Sequence, residues 1–320
     1  MKFDKSKKIL VIGRAGMDIY PEPPGTKITN VKDFSAHLGG SAANTCVALS
    51  RLGVSSDLVT CISDDAIGEY ILNKLKDFNV GSGLCRKVDK VYQTQLAVVE
   101  TILKNNQSIL YRNNSCDLQL KKDDIDQINF QDYSAVFISG TALSSNPSRE
   151  AIFYATQKAS ILNLPLIIDL DYRPYNWESD KIKSDVYKKI MNEMDIIIGN
   201  DLEFNISDNS SDGFYLAKEF IKKKSSIIIY KMGEKGSKVF TKEKEFEFGI
   251  FKVDAIKPTG AGDAFNGGFI SSLYQGMTLE ESVKRGSANA ALVVTKVGCS
   301  SAMPDSEELD KFINQQTMEK

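Results

Sequence analysis

The chain has 320 residues, 42% of them hydrophobic, and a formal net charge of −2, which argues against nucleic acid or an anionic membrane surface as a partner. No apolar run reaches the roughly 18 residues that span a bilayer, and five scattered cysteines without a Cys-x-x-Cys pair argue against a zinc site or a disulfide framework. With a single histidine, His37, acid–base chemistry is expected to fall to a carboxylate, and we expect a soluble, cytoplasmic protein.

The first part of the chain alternates between strand and helix patterns. Residues 9–12 form a short apolar run ended by Gly13, which is typical of a buried strand. Apolar positions at helical spacing predict helices over 41–52 and 67–78, and an apolar run between them predicts a strand over 58–62.

Two stretches interrupt this alternation and predict a second, smaller sheet. Residues 20–37 contain several prolines and look irregular, with edge-strand character near 27–31. Residues 95–103 and 108–112 are predicted as two strands around a turn. We expect residues 20–37 and 91–112 to form a β lid over an open face of the main sheet.

The rest of the chain resumes the alternation. Strands are predicted over 136–138, 166–170, 196–198 and 227–230, with two more in 238–250, and helices over 147–162, 182–194, 214–221, 263–275, 279–294 and 305–316. β-Branched runs between amphipathic helices indicate a mostly parallel sheet covered on both faces, which binds ligands at the carboxyl ends of its strands. We expect one α/β domain over residues 1–320.

The most informative stretch is Thr259-Gly-Ala-Gly-Asp263, which precedes a predicted helix. A glycine-rich turn at a helix start offers unpaired N–H groups and the positive end of the helix dipole to an anion. Asp263 lies among these donors, so the stretch combines an anion cradle with a carboxylate base, as phosphoryl transfer to a hydroxyl requires. The competing interpretation is an ordinary Asp N-cap after a glycine turn.

A second glycine-rich stretch, Gly39-Gly-Ser-Ala-Ala-Asn44, also opens a helix. The amide of Asn44 can both donate to and accept from a sugar hydroxyl, although a plain turn capped by Ser41 has the same pattern. Asp18 follows the first strand, where its carboxylate can accept hydrogen bonds from two sugar hydroxyls. The alternative is a solvated acid in a loop.

A third pattern, Asn200-Asp-Leu-Glu203, follows a predicted strand. Its Asn and Glu share a helix face and are suited to a hydrated Mg²⁺, but the pattern is also a common helix start. The sequence has neither a P-loop motif nor a dinucleotide fingerprint at its first strand, which argues against both of those nucleotide-binding classes.

Together these motifs resemble the ribokinase-like (PfkB) carbohydrate kinases over essentially the whole chain. Residues 39–44 look like the N-terminal signature of that family, 200–203 like its Mg²⁺/phosphate motif, and 259–263 like its C-terminal catalytic signature. The resemblance implies a ribokinase-like three-layer sandwich, ATP and Mg²⁺ as cofactors, and a β lid that is often also a homodimer surface.

The resemblance also implies roles for individual residues. Asp263 would be the catalytic base, with the backbone of Gly260, Ala261 and Gly262 as the anion hole. The residues expected to bind the sugar are Asp18, Gly39, Gly40 and Asn44. Those expected to bind the nucleotide are Asn200, Glu203, Lys231, Gly233, Gly236 and Asn289, of which Asn200 and Glu203 would also hold Mg²⁺ through water.

Three segments are similar to one branch of the family, the kinases that act on 5-dehydro-2-deoxygluconate in myo-inositol catabolism. They are residues 11–20, 111–117 and 169–177, and the last contributes Asp171 to the expected sugar site. Because that substrate is a sugar acid, forked donors from Arg14, Arg112 and Arg173 suit its carboxylate. Arg173 could equally reach the transferring phosphate, and a surface ion pair is the alternative for each arginine.

One position departs from the family pattern. Family members commonly carry Asp-Thr just before the Gly-Ala-Gly-Asp core, in a region that helps hold a monovalent cation, whereas this chain has Lys257-Pro258. An ammonium group at residue 257 could replace the charge of that cation, so we do not extend a K⁺ requirement to this chain.

The sequence therefore predicts an ATP-dependent kinase for the primary hydroxyl of a sugar acid, with 5-dehydro-2-deoxy-D-gluconate and its 6-phosphate as the leading substrate and product. Alternatives within the family are a 2-keto-3-deoxygluconate kinase and a fructokinase. The alternative from another class is a non-catalytic sugar- or nucleotide-binding regulator, which ATP consumption would exclude.

Overall fold

The computed structural model of the chain describes residues 2–174, 176–206, 212–222 and 224–316. The strands in these ranges are β1 (Lys8–Ile12), β2 (Gly16–Glu22), β3 (Asp33–Gly39), β4 (Ser56–Ser63), β5 (Cys85–Val88), β6 (Gln95–Val99), β7 (Ser108–Tyr111), β8 (Tyr133–Ser139), β9 (Leu166–Asp169), β10 (Ile196–Asn200), β11 (Ile227–Lys231), β12 (Ser237–Thr241) and β13 (Glu245–Phe248). The helices are α1 (Ser41–Arg51), α2 (Ala66–Asp77), α3 (Lys122–Asp126), α4 (Ser148–Ile161), α5 (Asp180–Met191), α6 (Asp201–Asn205), α7 (Gly213–Ile221), α8 (Ala261–Tyr274), α9 (Leu279–Val293) and α10 (Ser306–Gln315). None of these helices combines the length and apolar character needed to cross a bilayer.

A nine-stranded sheet forms the centre of the fold, in the order β13-β12-β11-β10-β9-β8-β1-β4-β5. Its neighbouring strands are parallel from β11 to β5, and only the edge strands β12 and β13 run antiparallel to their neighbours. The expected mostly parallel sheet is confirmed.

Side chains of the central strands alternate between two apolar layers, because successive residues of a strand face opposite sides of the sheet. On β1, Leu10 and Ile12 pack in a core with α4, α5 and α7, whereas Ile9 and Val11 pack in a second core with α1, α2, α8 and α9. Helices therefore cover both faces, and the three-layer sandwich expected for a ribokinase-like fold is confirmed.

The second sheet has four strands in the order β3-β2-β6-β7. The expectation of an edge strand near 27–31 is wrong, because the strands flank that stretch and Ile28–Asn30 form a 3₁₀ turn. Pro21 is tolerated in β2 because the ladder between β2 and β6 ends at Ile19 and Val98, so the missing N–H removes no bond to β6.

The strand expected over 95–103 ends early, at Val99. The buried carboxylate of Glu100 accepts hydrogen bonds from the N–H of Ile28 (2.8 Å) and the N–H of Gln107 (3.0 Å). These bonds fix the loop before β7.

Close packing of α1 against α8 brings the two glycine-rich motifs together. A Cβ added to Gly267 of α8 would lie 2.2 Å from the Cβ of Ala48 on α1, so only glycine allows this approach. The starts of both helices consequently lie near the carboxyl end of β1.

Candidate active site

The carboxyl ends of the parallel strands open into a cleft of about 1240 Å³. Its floor carries polar residues that end or follow successive strands, namely Arg14 after β1, Asp169 and Asp171 at β9, Asn200 at β10 and Lys231 at β11. Side chains of β6 and β7 line the wall that belongs to the second sheet. A cleft is therefore present at the carboxyl edge, where the sequence analysis expects ligands to bind.

Helix α8 begins inside this cleft. Gly260 precedes it with φ +87°, a conformation that favours glycine, and a Cβ there would lie 2.8 Å from Cys299 Sγ. The helix start presents backbone N–H groups that have no intrahelical partner. Lys231 Nζ lies 3.5 Å from the position that a Cβ on Gly262 would occupy, so the cradle combines N–H donors with an ammonium group.

Asp263 lies in the first turn of α8 and is not its N-cap, since that position belongs to Gly260. Asn44 Nδ2 donates to Asp263 Oδ2 at 2.8 Å. Burial raises the pKa of Asp263 to about 7, and the nearby Asp171 carboxylate adds to this, against the Asn44 hydrogen bond and the Arg14 charge. A carboxylate with such a pKa accepts a proton efficiently near neutral pH.

Asp18 is buried in the lining of the cleft. Burial raises its pKa to about 6, and the charges of Arg14 and Lys257 oppose the increase. A Cβ on Gly39 would lie 2.1 Å from Asp18 Oδ1, so Gly39, which is outside the cleft lining, acts by leaving room for this carboxylate. Gly40 lines the cleft, with φ +92°.

Asp171 connects two of the predicted arginines. It forms an ion pair with Arg173 at 2.8 Å and accepts a hydrogen bond from Ser139 Oγ at 2.9 Å. Burial acts to raise the pKa of Asp171, but the charges of Arg173 and Arg14 hold it below its ordinary value. The Arg173 side chain remains 39% exposed to the cleft.

Arg112 departs from its expected position. Its guanidinium is buried outside the cleft lining, forms an ion pair with Asp117 and donates to the carbonyl of Thr141 at 3.0 Å. The charge of Arg112 nevertheless acts on Arg14, whose pKa is lowered by burial and also by this neighbour. The sequence alone could not show whether Arg112 contacts the substrate or lies behind a residue that does.

Buried donors without a partner surround Arg14. Arg14 Nη1 donates to Gln95 Oε1 at 2.6 Å, but Arg14 Nε, Gln95 Nε2, and Arg112 Nε and Nη1 have no hydrogen-bond partner. An unsatisfied buried donor costs about 1–3 kcal/mol. Of these three residues only Arg14 lines the cleft, where its charge favours an anionic ligand. Gln95 was missed because nothing in its local sequence marks it.

Asn200 and Glu203 form the reciprocal capping box of α6. The backbone N–H of Asn200 donates to Glu203 Oε2 at 2.8 Å, and the N–H of Glu203 donates to Asn200 Oδ1 at 3.1 Å. Burial raises the pKa of Glu203 to about 7, with Asp169 adding to the effect and Lys231 opposing it. Both residues line the cleft, so the helix-start pattern and the candidate site residues coincide.

Asp169, which lines the cleft beside Lys231, and Asn266, which is buried behind it, were missed by the sequence analysis. Lys231 Nζ lies 3.2 Å from Asp169 Oδ1, and Asn266 Nδ2 donates to Asp169 Oδ2 at 2.6 Å. Two signals could have identified them: Asp169 ends a strand at the ligand edge, and Asn266 lies three residues after Asp263 on the same helix face.

Gly233 and Gly236 flank the turn between β11 and β12, and both line the cleft. Their φ values are +59° and +82°, and a Cβ on Gly236 would lie 2.0 Å from the carbonyl oxygen of Phe248. The loop of small residues expected beside the nucleotide therefore lies at the cleft.

Asn289 does not lie where the sequence analysis expected it. It is fully buried outside the cleft lining, and its Nδ2 donates to the Ala264 carbonyl at 2.7 Å, which joins α9 to α8. Helical phase explains the difference, because the positions of α9 that face the cleft are Ser287, Ala290 and Ala291.

Known proteins match this chain over nearly its whole length. The chain is 36% identical to a protein from Photobacterium profundum named 5-dehydro-2-deoxygluconokinase, over 97% of this chain and 96% of that one. It is 33% identical to a protein of the same name from Clostridium perfringens, over 100% of this chain and 97% of that one.

A solved structure shares the fold. It is a double mutant of fructokinase from Vibrio cholerae O395 in its fructose, ADP and potassium ion bound form, with a TM-score of 0.85 and 23% identity over 97% of this chain and 99% of that chain. The family model described as pfkB family carbohydrate kinase matches residues 6–306. The chain therefore belongs to the PfkB family of carbohydrate kinases.

Proposed function

We propose that this sugar kinase transfers the γ-phosphoryl group of ATP to the primary hydroxyl of 5-dehydro-2-deoxy-D-gluconate and forms its 6-phosphate. The observation that carries the proposal is a buried carboxylate base, Asp263, in the first turn of a helix that begins in the cleft, with the positively charged Arg14 lining the same cleft. The names of the relatives that match over nearly the whole chain support the choice of this sugar acid.

Asp263 accepts the proton of the primary hydroxyl as that oxygen attacks the γ-phosphorus. Asn44 orients the carboxylate through its hydrogen bond, and the N–H groups at residues 260–263 stabilise the charge on the transferring oxygens. Removing one donor from such an anion hole costs about 2.7–4 kcal/mol in other enzymes. Lys231, next to Gly262, adds a positive charge on the same side.

The nucleotide side fits ATP with Mg²⁺. Within the described ranges no group of three or more His, Cys, Asp or Glu residues is arranged to hold a metal ion. This agrees with Mg²⁺ retained mainly by phosphates and water, with Asn200 and Glu203 acting through water. When bound, Mg²⁺ supplies neutralising charge at the β- and γ-phosphates.

The three arginines divide between two tasks. Arg14 lines the cleft, is fixed by Gln95 and keeps an unpaired Nε, so we assign it to the substrate carboxylate. Arg112 supports it from behind. Arg173 also lines the cleft, and its pKa is raised by Asp171 and also by the carboxylates of Glu203 and Asp263, so we assign its charge to the transferring phosphate.

The second sheet is proposed as a lid. It contributes Asp18 from β2 and apolar lining from β6 and β7, and closure would exclude the water that otherwise hydrolyses ATP.

The strands of the second sheet also expose the apolar side chains of Phe34, Ile109 and Tyr111, which we propose as a homodimer surface. Sedimentation of the wild type and of Tyr111→Lys tests this: a monomeric wild type would contradict it.

Coupled ADP release tests the reaction. ATP·Mg²⁺ is supplied with 5-dehydro-2-deoxygluconate, 2-keto-3-deoxygluconate, fructose or ribose, and Asp263→Asn protein prepared identically corrects for contaminating kinases. Selective turnover of the first substrate is expected. Preference for 2-keto-3-deoxygluconate, which the same arginines would hold, would replace the proposed substrate, and binding without turnover would favour a regulator.

A further inference from the structure

Lys257 is a fully buried lysine beside the anion hole, and no step of the proposed reaction uses it. Its Nζ donates to the carbonyl of Thr259 at 2.7 Å and to the carbonyl of Val293 at 3.1 Å. Lysine is almost never fully buried without a partner for its charge, so these contacts need an explanation.

The two carbonyls come from opposite ends of neighbouring helices. Val293 is the last residue of α9, where carbonyls lack intrahelical partners and the negative end of the helix dipole favours a cation. Thr259 immediately precedes Gly260, which begins the anion hole of α8. The ammonium group therefore ties the loop of the anion hole to the end of α9.

Charges around this position also favour a cation. Burial lowers the pKa of Lys257, and the carboxylates of Asp18 and Asp263 oppose this decrease. A site with carbonyl oxygens and nearby carboxylates has the chemistry that a monovalent cation prefers. The space at the two carbonyls is already taken by Nζ, so a K⁺ ion bound to them does not fit this chain.

We propose that the Lys257 ammonium group is a built-in monovalent cation that holds the anion-hole loop in place and makes phosphoryl transfer independent of K⁺. Lys257 is a positioning residue, since it acts on the transferring phosphate through Thr259 and Gly260. The kinetic consequences of the inference rest on the proposed kinase activity. The occupation of the cation site also predicts how the Tm responds to added cations, and that response does not depend on the kinase activity.

The first test uses the wild type alone. Turnover and Tm are measured in KCl, NH₄Cl, NaCl and tetramethylammonium chloride at constant ionic strength. Both should be the same in all four salts. Activation of the wild type by K⁺ or NH₄⁺, or a saturable rise of its Tm with either ion, would overturn the proposal.

The second test removes the ammonium group. Lys257→Ala leaves a space beside the carbonyls of Thr259 and Val293, so K⁺, NH₄⁺ or methylammonium should raise its Tm and restore turnover in a saturable way. Lys257→Met fills the space with an apolar chain and should lose about 10²-fold in kcat, the loss typical of a disturbed anion hole, without rescue. Lys296→Met, an exposed lysine just beyond α9, is the matched control and should behave as the wild type.

These measurements separate the two proposals. If no sugar is turned over, the kinase function fails, but cation-dependent Tm in Lys257→Ala alone would still support the occupied cation site. If turnover is present and cations neither stabilise nor rescue Lys257→Ala, the lysine is a purely structural residue and the inference is wrong. If Lys257→Ala does not fold, the salt series on the wild type decides.

Discussion

The proposed sugar side and the proposed nucleotide side of the cleft differ in the kinds of residue that line them. On the sugar side, Arg14, Asp18 and Asp171 are buried and charged, and their pKa values are displaced by burial and by one another. On the proposed nucleotide side, the wall beyond the charged and polar residues Asn200, Glu203 and Lys231 includes glycine backbone and small or apolar side chains, namely Gly233, Gly236, Phe251, Ala290, Ala291 and Val294.

This difference indicates where specificity lies. A buried charged group left unpaired is costly, so a site made of such groups rejects ligands that do not satisfy them. A wall of backbone and apolar surface binds a ligand by complementary shape, so the affinity for the ligand decreases little when one side chain changes. Substitutions on the sugar side should therefore change activity strongly, and those in the glycine-rich, apolar wall of the nucleotide side weakly.

The largest effect is expected where the two sides meet, at Asp263. Asp263→Asn removes the proton acceptor but keeps the shape and the Asn44 contact, so kcat should fall by about 10²–10⁴-fold, the usual contribution of a general base. The dissociation constant of ATP, measured by calorimetry, should stay nearly unchanged. Asp77→Asn, on the exposed face of α2, is the control; an active Asp263→Asn enzyme would exclude the base assignment.

The second prediction separates the arginines by substrate. Hydrogen bonds to charged groups contribute about 1.5–3 kcal/mol, so Arg14→Met should lower kcat/KM for the sugar acid by about 10- to 150-fold and change that for fructose much less. Arg173→Ala should instead harm both substrates equally, because it serves the phosphate.

Exposed Arg51, at the end of α1, provides the matched control as Arg51→Met. Equal losses on acid and neutral sugar in Arg14→Met would remove the carboxylate role from Arg14. Selective loss on the acid in Arg173→Ala would transfer that role to Arg173.

Local motifs made much of the site predictable. The stretches at 39–44, 200–203 and 259–263 each carry glycines or caps at fixed spacing, and those features specify a helix start before any tertiary contact exists. The period of the apolar residues likewise specified the main strands and helices within a few residues. What the chain determines locally could be predicted from the sequence.

Tertiary contacts determined the rest. Asp169 became part of the site because strand pairing sets it beside Lys231, which is distant in sequence. The position of Arg112 depends on how deeply its side chain is buried, and that of Asn289 on which face of α9 it occupies. A local motif encodes neither. β5, a short polar edge strand, is defined by its pairing with β4 and lacks an apolar pattern.

The third prediction uses the pH dependence of kcat/KM at saturating ATP·Mg²⁺. Asp263 must be ionised to accept a proton, so activity should fall as the pH drops below about 7, the pKa of the group. Asn44→Ala removes a hydrogen bond that lowers this pKa, so the acidic limb should move to higher pH. Asp171→Asn removes a negative charge that raises it, so the limb should move to lower pH.

Each displacement is expected to be about half a unit to one unit. Opposite directions in the two variants are the diagnostic result, because a general loss of substrate binding would lower the whole profile without moving its limb. Displacement of both limbs in the same direction would contradict the assignment of the limb to Asp263.

The smallest effect is expected on the nucleotide side, where a matched pair compares side chain with backbone. Ser287→Ala removes a hydroxyl that water can replace, and a neutral hydrogen bond contributes only about 0.5–1.5 kcal/mol, so the KM for ATP should rise by less than about tenfold. Gly236→Ala adds one methyl group where φ is +82° and the Phe248 carbonyl lies 2.0 Å from the new Cβ, so it should raise that KM more. The reverse order would mean that this wall recognises ATP through side chains, and the contrast between the two sides of the cleft would no longer hold.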